Sequence, residues 1–304
     1  HPMSTRDFGT LADGRQVHEV TLSNEHLTAR FLTLGARING LTFDGIDGLT
    51  PALSLAEAEA ALFCGSIIGP VMNRLSGARA PLDGAILQFE ANEGPNLLHS
   101  GDAGFDRKIW DIAQATETEV TFTLDLPPDA FPGHRNVQVI YRLENADLIL
   151  EITATTDAPT LMNMGFHPFW TLSRQGRDGH DLQVHSDLVL PADDANIPTG
   201  EIVEVAGTPL DYRVARPAEK GIDRCFVLGE KRGISPCVTL CSDALMLEIL
   251  TNARAVHVFT GMEYGIAVEP EIHPDAPNNA GFPSIRLDPA DVFRQTTVHR
   301  FSRR

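Results

Sequence analysis

Val137-Gln138-Val139-Ile140-Tyr141-Arg142-Leu143, the turn Glu144-Asn145-Ala146-Asp147, and Leu148-Ile149-Leu150-Glu151-Ile152-Thr153 read as one long β-hairpin. Apolar side chains recur with a period of two on its arms, the spacing of a strand with one buried face, and the polar stretch between the arms supplies the turn. Working outward, the same period recurs along the whole chain. Residues 17–22 and 27–31 read as early strands, and further strands are expected over 181–190, 225–228, 237–240, 245–250, 256–260 and 297–301. Leu82-Asp83-Gly84-Ala85 reads as a second tight hairpin, because Asp-Gly supplies the positive φ angles of a type I′ turn. One stretch reads as helical, residues 55–63, opened by the capping box Ser54-Leu55-Ala56-Glu57. The 25 glycines and 20 prolines are spread without a linker-like shift, and no short internal repeat is visible. The expectation is one all-β, mainly antiparallel domain over residues 1–304: a large β-sandwich with a groove and few short helices.

Composition narrows what such a domain does. With 42% hydrophobic and 21% charged residues the chain can bury a sizeable core. A formal net charge of −17 repels nucleic-acid phosphates and anionic membrane surfaces, and no basic cluster overrides it beyond Arg300, Arg303 and Arg304. No apolar run approaches the length of a membrane span. His1 and Pro2 precede Met3 and read as a cloning remnant; with Met3 as the start, Ser4-Thr5-Arg6-Asp7 is no secretory signal. Cys64 and Cys225 are isolated, and Cys237 and Cys241 are four apart on an expected strand, about 13 Å and too far to bridge. Reduced cysteines and a cytoplasmic location are therefore expected, with monomer and dimer both open.

Chemistry concentrates around Gly265-Ile266-Ala267-Val268-Glu269-Pro270. On a strand, Ile266 and Val268 face one way, while Gly265, Ala267 and Glu269 face the other. The acid stands on a face cleared by a missing side chain and a methyl. It reads either as a partly desolvated general base with room for a ligand or as an edge-strand acid facing solvent. Four other segments set polar groups among small neighbours: Met72-Asn73-Arg74-Leu75; Asn96-Leu97-Leu98-His99-Ser100-Gly101; Asn163-Met164-Gly165-Phe166-His167-Pro168-Phe169-Trp170, with His167 on the side of Gly165 and Asn163; and Gly221-Ile222-Asp223-Arg224-Cys225-Phe226. Taken singly, Asp223 reads as a turn cap, Arg74 as a surface cation, and each histidine as a core residue.

In this order, with Leu82-Asp83-Gly84, Gly104-Phe105-Asp106, Trp110, Phe131-Pro132-Gly133, Tyr141-Arg142-Leu143 and Pro274-Asp275-Ala276-Pro277-Asn278, these segments resemble the aldose 1-epimerase (galactose mutarotase) family over nearly the whole chain. The resemblance implies a sandwich of the supersandwich type and an isomerase that interconverts the α and β anomers of a free monosaccharide without cofactor or metal. It implies Glu269 as the base that takes the anomeric proton and His167 as the acid that protonates the ring oxygen. Arg74 and His99 would hydrogen-bond the ring or anomeric oxygens, and Asp223 would accept from a pair of sugar hydroxyls, with Asn73, Arg224 and Trp170 at the substrate rim. These roles need Glu269 ionised and His167 charged, so acceptors near His167 are expected to support its imidazolium.

Several positions depart from the family pattern. Phe166 stands where an amide is frequent, Pro168-Phe169-Trp170-Thr171 replaces the more usual aromatic-Asn ending, and Arg224 stands where an imidazole is common. Arg224 with Arg74 raises the alternative of an anionic (sulfonated or phosphorylated) aldose; a deoxy aldose is a further alternative, and a non-catalytic carbohydrate-binding module is the reading from another class. The alternation Glu269, Glu271, His273, Asp275 invites a metal reading, but Pro270 and Pro274 break the strand and no open-site zinc pattern is complete. His180, His185 and His257 are expected to be structural or surface groups.

Overall fold

The hairpin that opens the sequence reading is the middle of the largest sheet. In the computed structural model, which describes residues 5–230 and 233–304, its arms are Arg135–Glu144 and Asp147–Thr156, paired in register from Arg135↔Thr156 to Glu144↔Asp147. The two-residue loop Asn145-Ala146 is tighter than the four-residue turn expected, and Asn145 takes the required positive φ of 52°. His1, Pro2 and Met3, the remnant and start of the sequence reading, lie outside the described residues.

Nine strands form this sheet, in the order Asp111–Ala115, Glu119–Leu126, Arg135–Glu144, Asp147–Thr156, Phe293–Arg303, Leu245–Thr251, Ser235–Cys241, Asp181–Val184 and Arg216–Pro217. A six-stranded sheet runs Phe169–Trp170, Ile266–Glu271, Ala255–Phe259, Asp223–Val227, Leu188–Val189 and Val203–Glu204, and an N-terminal sheet of four strands spans Thr5–Thr10 to Arg37–Phe43. All strand pairings among the described residues are antiparallel apart from one isolated bridge, Val71 to Asn163. The structure is thus mainly antiparallel β with short helical turns, as the patterning implied.

Alternation decides which face is core. Val139, Tyr141, Leu150, Ile152, Leu247 and Ile249 of the large sheet meet Phe226, Val256, Val258, Ile266 and Val268 of the six-stranded sheet, and Val20, Leu22 and Phe31 of the N-terminal sheet join the same buried cluster. Tyr141 ties the layers: its ring stacks on Phe31 with centroids 4.1 Å apart, and its hydroxyl donates to the Ala36 carbonyl at 2.7 Å. The opposite face of the six-stranded sheet carries Asp223, His257 and Glu269. Part of that face is covered by a second cluster, in which Val71, Leu75 and Leu97 pack with Cys225 and Ala255.

Two elements differ from the sequence reading for local reasons. The stretch 181–190 is two strands in two sheets, because the Ser186 hydroxyl takes the Leu188 amide at 3.1 Å and turns the chain across the sandwich. The helix has the capping box (Glu57 N to Ser54 Oγ 3.2 Å, Ser54 N to Glu57 Oε1 2.9 Å) but spans only Leu55–Ala60. Buried Arg37 draws off the next carbonyls, donating to Ala61 O at 2.8 Å and Leu62 O at 2.7 Å, so the chain leaves the helix to form a loop over 61–66. The Asp83-Gly84 turn has φ of 51° and 76°, as the Asp-Gly pair requires.

Gly165 is where fold and site meet. A Cβ there would lie 2.6 Å from Met72 Sδ and 2.7 Å from the Pro270 carbonyl oxygen, so the segment bearing His167 lies against the strand bearing Glu269 only because this side chain is missing. Gly165→Ala is expected to cost about 1–3 kcal/mol from overpacking, read as a lower urea midpoint at unchanged slope.

Candidate active site

Register brings the acid to its partners. Phe169 pairs with Ala267 and Trp170 with Ile266, so continuing this ladder past Pro168, which has no N–H, sets His167 across from Glu269. On the other flank His257 is paired with Glu269, and Cys225 with His257. Asp223, two residues before Cys225, shares their face. Glu269, His167, His257 and Asp223 line a cavity of about 200 Å³ together with Arg74, His99, Asn73 and Glu93, and with an apolar wall of Phe63, Phe259 and Met262.

Glu269 is only 2% exposed, so it is no edge-strand acid in solvent; the face reading is borne out, and the desolvation is more complete than expected. Burial pushes its pKa well above the usual carboxylate range, helped by neighbouring Glu271 and Asp223 and opposed by Arg74. His167 Nε2 stands 3.3 Å from Glu269 Oε1. The imidazole stacks on Phe169 at 5.1 Å and meets the edge of Phe63 at 5.4 Å. Its backbone is clipped to the loop that Arg37 braces, through Gly65 N to His167 O at 2.8 Å and His167 N to Ser66 O at 2.9 Å.

The expectation that acceptors hold His167 charged is corrected here. Its Nδ1 is buried without a hydrogen-bond partner, and burial drives the imidazole down to about 3. The acceptor beside the ring is Glu269 Oε1 at Nε2, and none faces Nδ1, so burial goes uncompensated on that side. Glu269 and His167 are therefore a neutral pair that holds one proton, with the carboxyl as its resting place.

His99 is delivered by a tight left-handed run, with φ of 55°, 64° and 53° at His99, Ser100 and Gly101. The Ser100 hydroxyl pins this run by donating to Val71 O at 2.8 Å and accepting from Val71 N at 3.0 Å. The amide of Asn73, itself at φ 65°, donates to His99 Nδ1 at 3.0 Å. That bond fixes the tautomer: Nδ1 must carry a lone pair, so the proton of the neutral ring sits on Nε2 as a donor to any ligand. Burial and the neighbouring imidazole of His167 hold His99 well below its ordinary pKa, so it stays neutral.

Asp223 is the ionised group. Burial alone would raise its pKa, but the hydrogen bond from His257 Nε2 and the charge of Arg74, 3.4 Å away, hold it at about 2. His257 was expected to be structural or surface; it is buried and lines the cavity. Its Nδ1 accepts from the Asn73 amide nitrogen at 3.0 Å, which leaves Nε2–H to donate to Asp223. The same nitrogen lies 3.1 Å from Glu271 Oε1, so Asn73 sits beneath the cavity as a brace. The signal for His257 was the alternation Val256-His257-Val258, which sets the histidine opposite two core residues; the register with Glu269 is what gives it meaning. Glu93, also missed, is the rim partner of Arg74 at 2.6 Å, and no local pattern marked it.

Two of the expected rim residues lie elsewhere. Trp170 is fully buried on the core face against His299 and Phe301, because it alternates with Phe169. Arg224 alternates with Asp223 and turns away to Asn196 at 3.1 Å and to the Asp223 carbonyl at 2.7 Å, outside the cavity. The strand-end metal reading also dissolves. Glu271 is braced by Asn73, His273 packs on Phe282, and Asp275 accepts from the Ser76 amide at 2.9 Å. Among the described residues two other sets converge, His99 with His167 and Glu269, and Cys225 with His257 and Glu271, each with its atoms within 4.8 Å. Neither suits a metal: the pocket-side nitrogen of His99 is protonated, and the Asn73 amide nitrogen already occupies His257 Nδ1 and Glu271.

A nearly dry carboxyl–imidazole pair, flanked by a locked imidazole donor, a guanidinium and a carboxylate in one small cavity, is the equipment of a proton-transferring isomerase acting on a hydroxylated ligand. The comparisons agree. The chain belongs to the aldose 1-epimerase family, whose model matches residues 18–300. It is 30% identical to the aldose 1-epimerase of Escherichia coli K12, over 95% of this chain and 96% of that protein, and 29% identical to the galactose mutarotase of Rattus norvegicus, over 97% of each. Among solved structures it is similar to an aldose epimerase homologue from C. elegans, with TM-score 0.88 and 27% identity over 94% of this chain and 98% of that one. The galactose 1-epimerase of Lactobacillus acidophilus aligns with TM-score 0.86 and 25% identity over 98% of both chains.

The locked tautomer is directly measurable. ¹⁵N NMR of the His99 ring is expected to show a neutral Nε2–H imidazole from about pH 5 to about pH 8; a signal that moves to the imidazolium form in that range contradicts the Asn73-to-Nδ1 bond.

Proposed function

We propose that this chain is a cofactor-independent aldose 1-epimerase whose acid–base pair is Glu269 and His167. The observation that carries the reading is the 3.3 Å approach of these two side chains inside the cavity, shielded from water, with His99, Arg74 and Asp223 around them. A binding module would have no use for a desolvated carboxyl set against an imidazole.

The reaction breaks the bond between C1 and the ring oxygen. The anomeric hydroxyl gives up its proton, the ring oxygen gains one, and C1 becomes an aldehyde. Rotation about C1–C2 presents the other face, and reclosure reverses both transfers. Glu269 passes its proton to His167 once sugar oxygens are there to hydrogen-bond both groups, producing the carboxylate base and imidazolium acid together. The raised pKa of Glu269 makes it the stronger base, and the depressed pKa of His167 makes its imidazolium the stronger acid. His99 Nε2–H and Arg74 stabilise the charge that develops on oxygen as the bond breaks, while Asp223, held ionised by His257, accepts from sugar hydroxyls and fixes the pose.

A neutral monosaccharide suits the cavity better than an anionic one. The anionic reading leaned on Arg224, which lies outside the cavity, and on Arg74, which is already paired with Glu93 and Asp223. No helix among the described residues is long and apolar enough to cross a membrane; the cytoplasmic setting stays a proposal.

Polarimetry or NMR anomer exchange on freshly dissolved glucose, galactose, xylose and arabinose tests the activity. At least one sugar is expected to equilibrate faster than in buffer, and Glu269→Gln is expected to lower kcat by about 10²–10⁴; a panel in which no sugar responds overturns the reading. The pH profile tests the pair. The doubly protonated form gives way to the working form as pH rises through the His167 value of about 3. Activity is lost again as pH rises through the raised value of Glu269, when the pair's single proton leaves. The alkaline limb thus belongs to Glu269, and Glu271→Gln, by removing a neighbour that raises it, is expected to move that limb to lower pH.

A further inference from the structure

The acid–base reading makes no use of Glu93, yet Glu93 is held at the cavity with unusual care. Asn92 clasps Leu98 with both ends of its amide, accepting from Leu98 N at 2.7 Å and donating to Leu98 O at 2.8 Å. The backbones of Glu93 and Asn96 exchange two hydrogen bonds of 3.0 Å, and the Asn96 side chain takes the Gly77 amide at 3.0 Å. From this closed loop Glu93 Oε1 accepts from Arg74 Nε at 2.6 Å and Oε2 lies 3.4 Å from Nη2, while the same Nη2 lies 3.4 Å from Asp223 Oδ2. The one guanidinium among the described residues that faces the cavity is therefore gripped between two carboxylates.

This grip sets the sign of the field a ligand meets. His99 accepts from the Asn73 amide at Nδ1 and so is an uncharged donor at Nε2, and His257 is committed through Nε2 to Asp223. Glu269 and His167 share one proton. Among the described residues lining the cavity, what remains is the guanidinium of Arg74 against the carboxylates of Asp223 and Glu93. Asp223 is needed for the hydroxyls, so Glu93 is the second carboxylate that occupies Arg74 and adds negative charge at the mouth. Its side chain is 39% exposed at the mouth, where it meets an entering sugar first.

We propose that Glu93 is a specificity-determining residue: by occupying Arg74 and setting its own carboxylate at the mouth, it makes the site accept neutral aldoses and reject aldoses that carry a carboxylate or phosphate. Arg74 is otherwise well suited to hold such an anion in a two-pronged pair. To use it, an anionic sugar must displace Glu93 and then lie against Asp223. Discrimination arises from this built-in repulsion rather than from an added attraction.

The proposal rests on the epimerase reading, and the test separates the two. Anomer exchange is measured with the full chain on a neutral aldohexose and on the hexuronate of the same configuration at low ionic strength. The readout is the ratio of the two kcat/KM values, since both sugars feel any loosening of Arg74. The wild-type ratio is expected to favour the neutral sugar strongly and to narrow in about 0.5 M salt, which screens exposed charge. Glu93→Gln, of the same shape without the charge, is expected to raise the relative rate on the hexuronate by about tenfold, whereas Glu201→Gln, an exposed acid outside the cavity, leaves the ratio where it was. A wild-type enzyme that handles both sugars alike, a ratio unmoved by Glu93→Gln, or an equal shift with Glu201→Gln overturns the role of Glu93 while leaving the epimerase reading intact. Failure of both sugars to equilibrate overturns both. The salt comparison needs no variant, so it stands even if Glu93→Gln folds poorly.

Discussion

A carboxyl group removed from water must lose its charge or find compensation, and most of this cavity can be read as the consequence of putting Glu269 in that position. The group is kept protonated by burial and by its neighbours Glu271 and Asp223, while Arg74, the one nearby cation among the described residues, is taken up by Glu93 and Asp223. His167, equally dry, is driven toward its uncharged form by the same burial. Burial thus favours the uncharged form of both groups, and the proposed base and acid roles need a ligand that can hydrogen-bond the two as they charge together.

That coupling is held by the sheet rather than by loops. Glu269, His257 and Cys225 lie in one row across three adjacent strands, His167 stands beside Glu269 on the segment leading into a fourth, and Asp223 stands one step along the same face. The opposite face of these strands is anchored in the main core through Ile266, Val268, Val256, Val258 and Phe226, so a sideways shift of the row would cost core packing. Where the site draws on loop residues, the backbone is strained and pinned. Asn73, His99 and Ser100 all take positive φ, and each is fixed by hydrogen bonds to the segment facing it. Strain of this kind persists where the surroundings over-determine it.

How much of this was legible in the sequence follows from the range of the interactions. Period-two patterning set out the strands, and the Asp-Gly and Asn-containing turns set out the hairpins, because both depend on neighbours in the chain. The facing of Glu269 opposite Ile266 and Val268 could be read for the same reason. The strand break near Ser186 could not, since it depends on which sheet each half joins. Nor could the importance of His257 and Glu93, which are ordinary residues until strand 255–259 is laid beside 266–271 and loop 89–96 is folded over Arg74. Trp170 and Arg224 illustrate the opposite error. Their nearness in sequence to His167 and Asp223 pointed to the rim, yet one step along a strand reverses the face. The charge states were hidden for a deeper reason: residue type fixes a reference pKa, and burial moved Glu269 and His167 in opposite directions.

The site also depends on where pairing stops. The strand Phe169–Trp170 covers its neighbour only at Ile266 and Ala267, and Pro168 then removes the next donor. Beyond that point the flank of 268–271 has no regular partner strand on this side among the described residues, a position in which Pro270 is tolerated. A continued ladder would place another regular strand there and seal the groove. Ending it after two residues, with Gly165 allowing the segment behind to lie close, lets the imidazole enter beside the carboxyl and leaves a cavity in front of both. The same interruption that weakens the sheet at its edge is therefore what gives a buried acid and its partner access to a ligand.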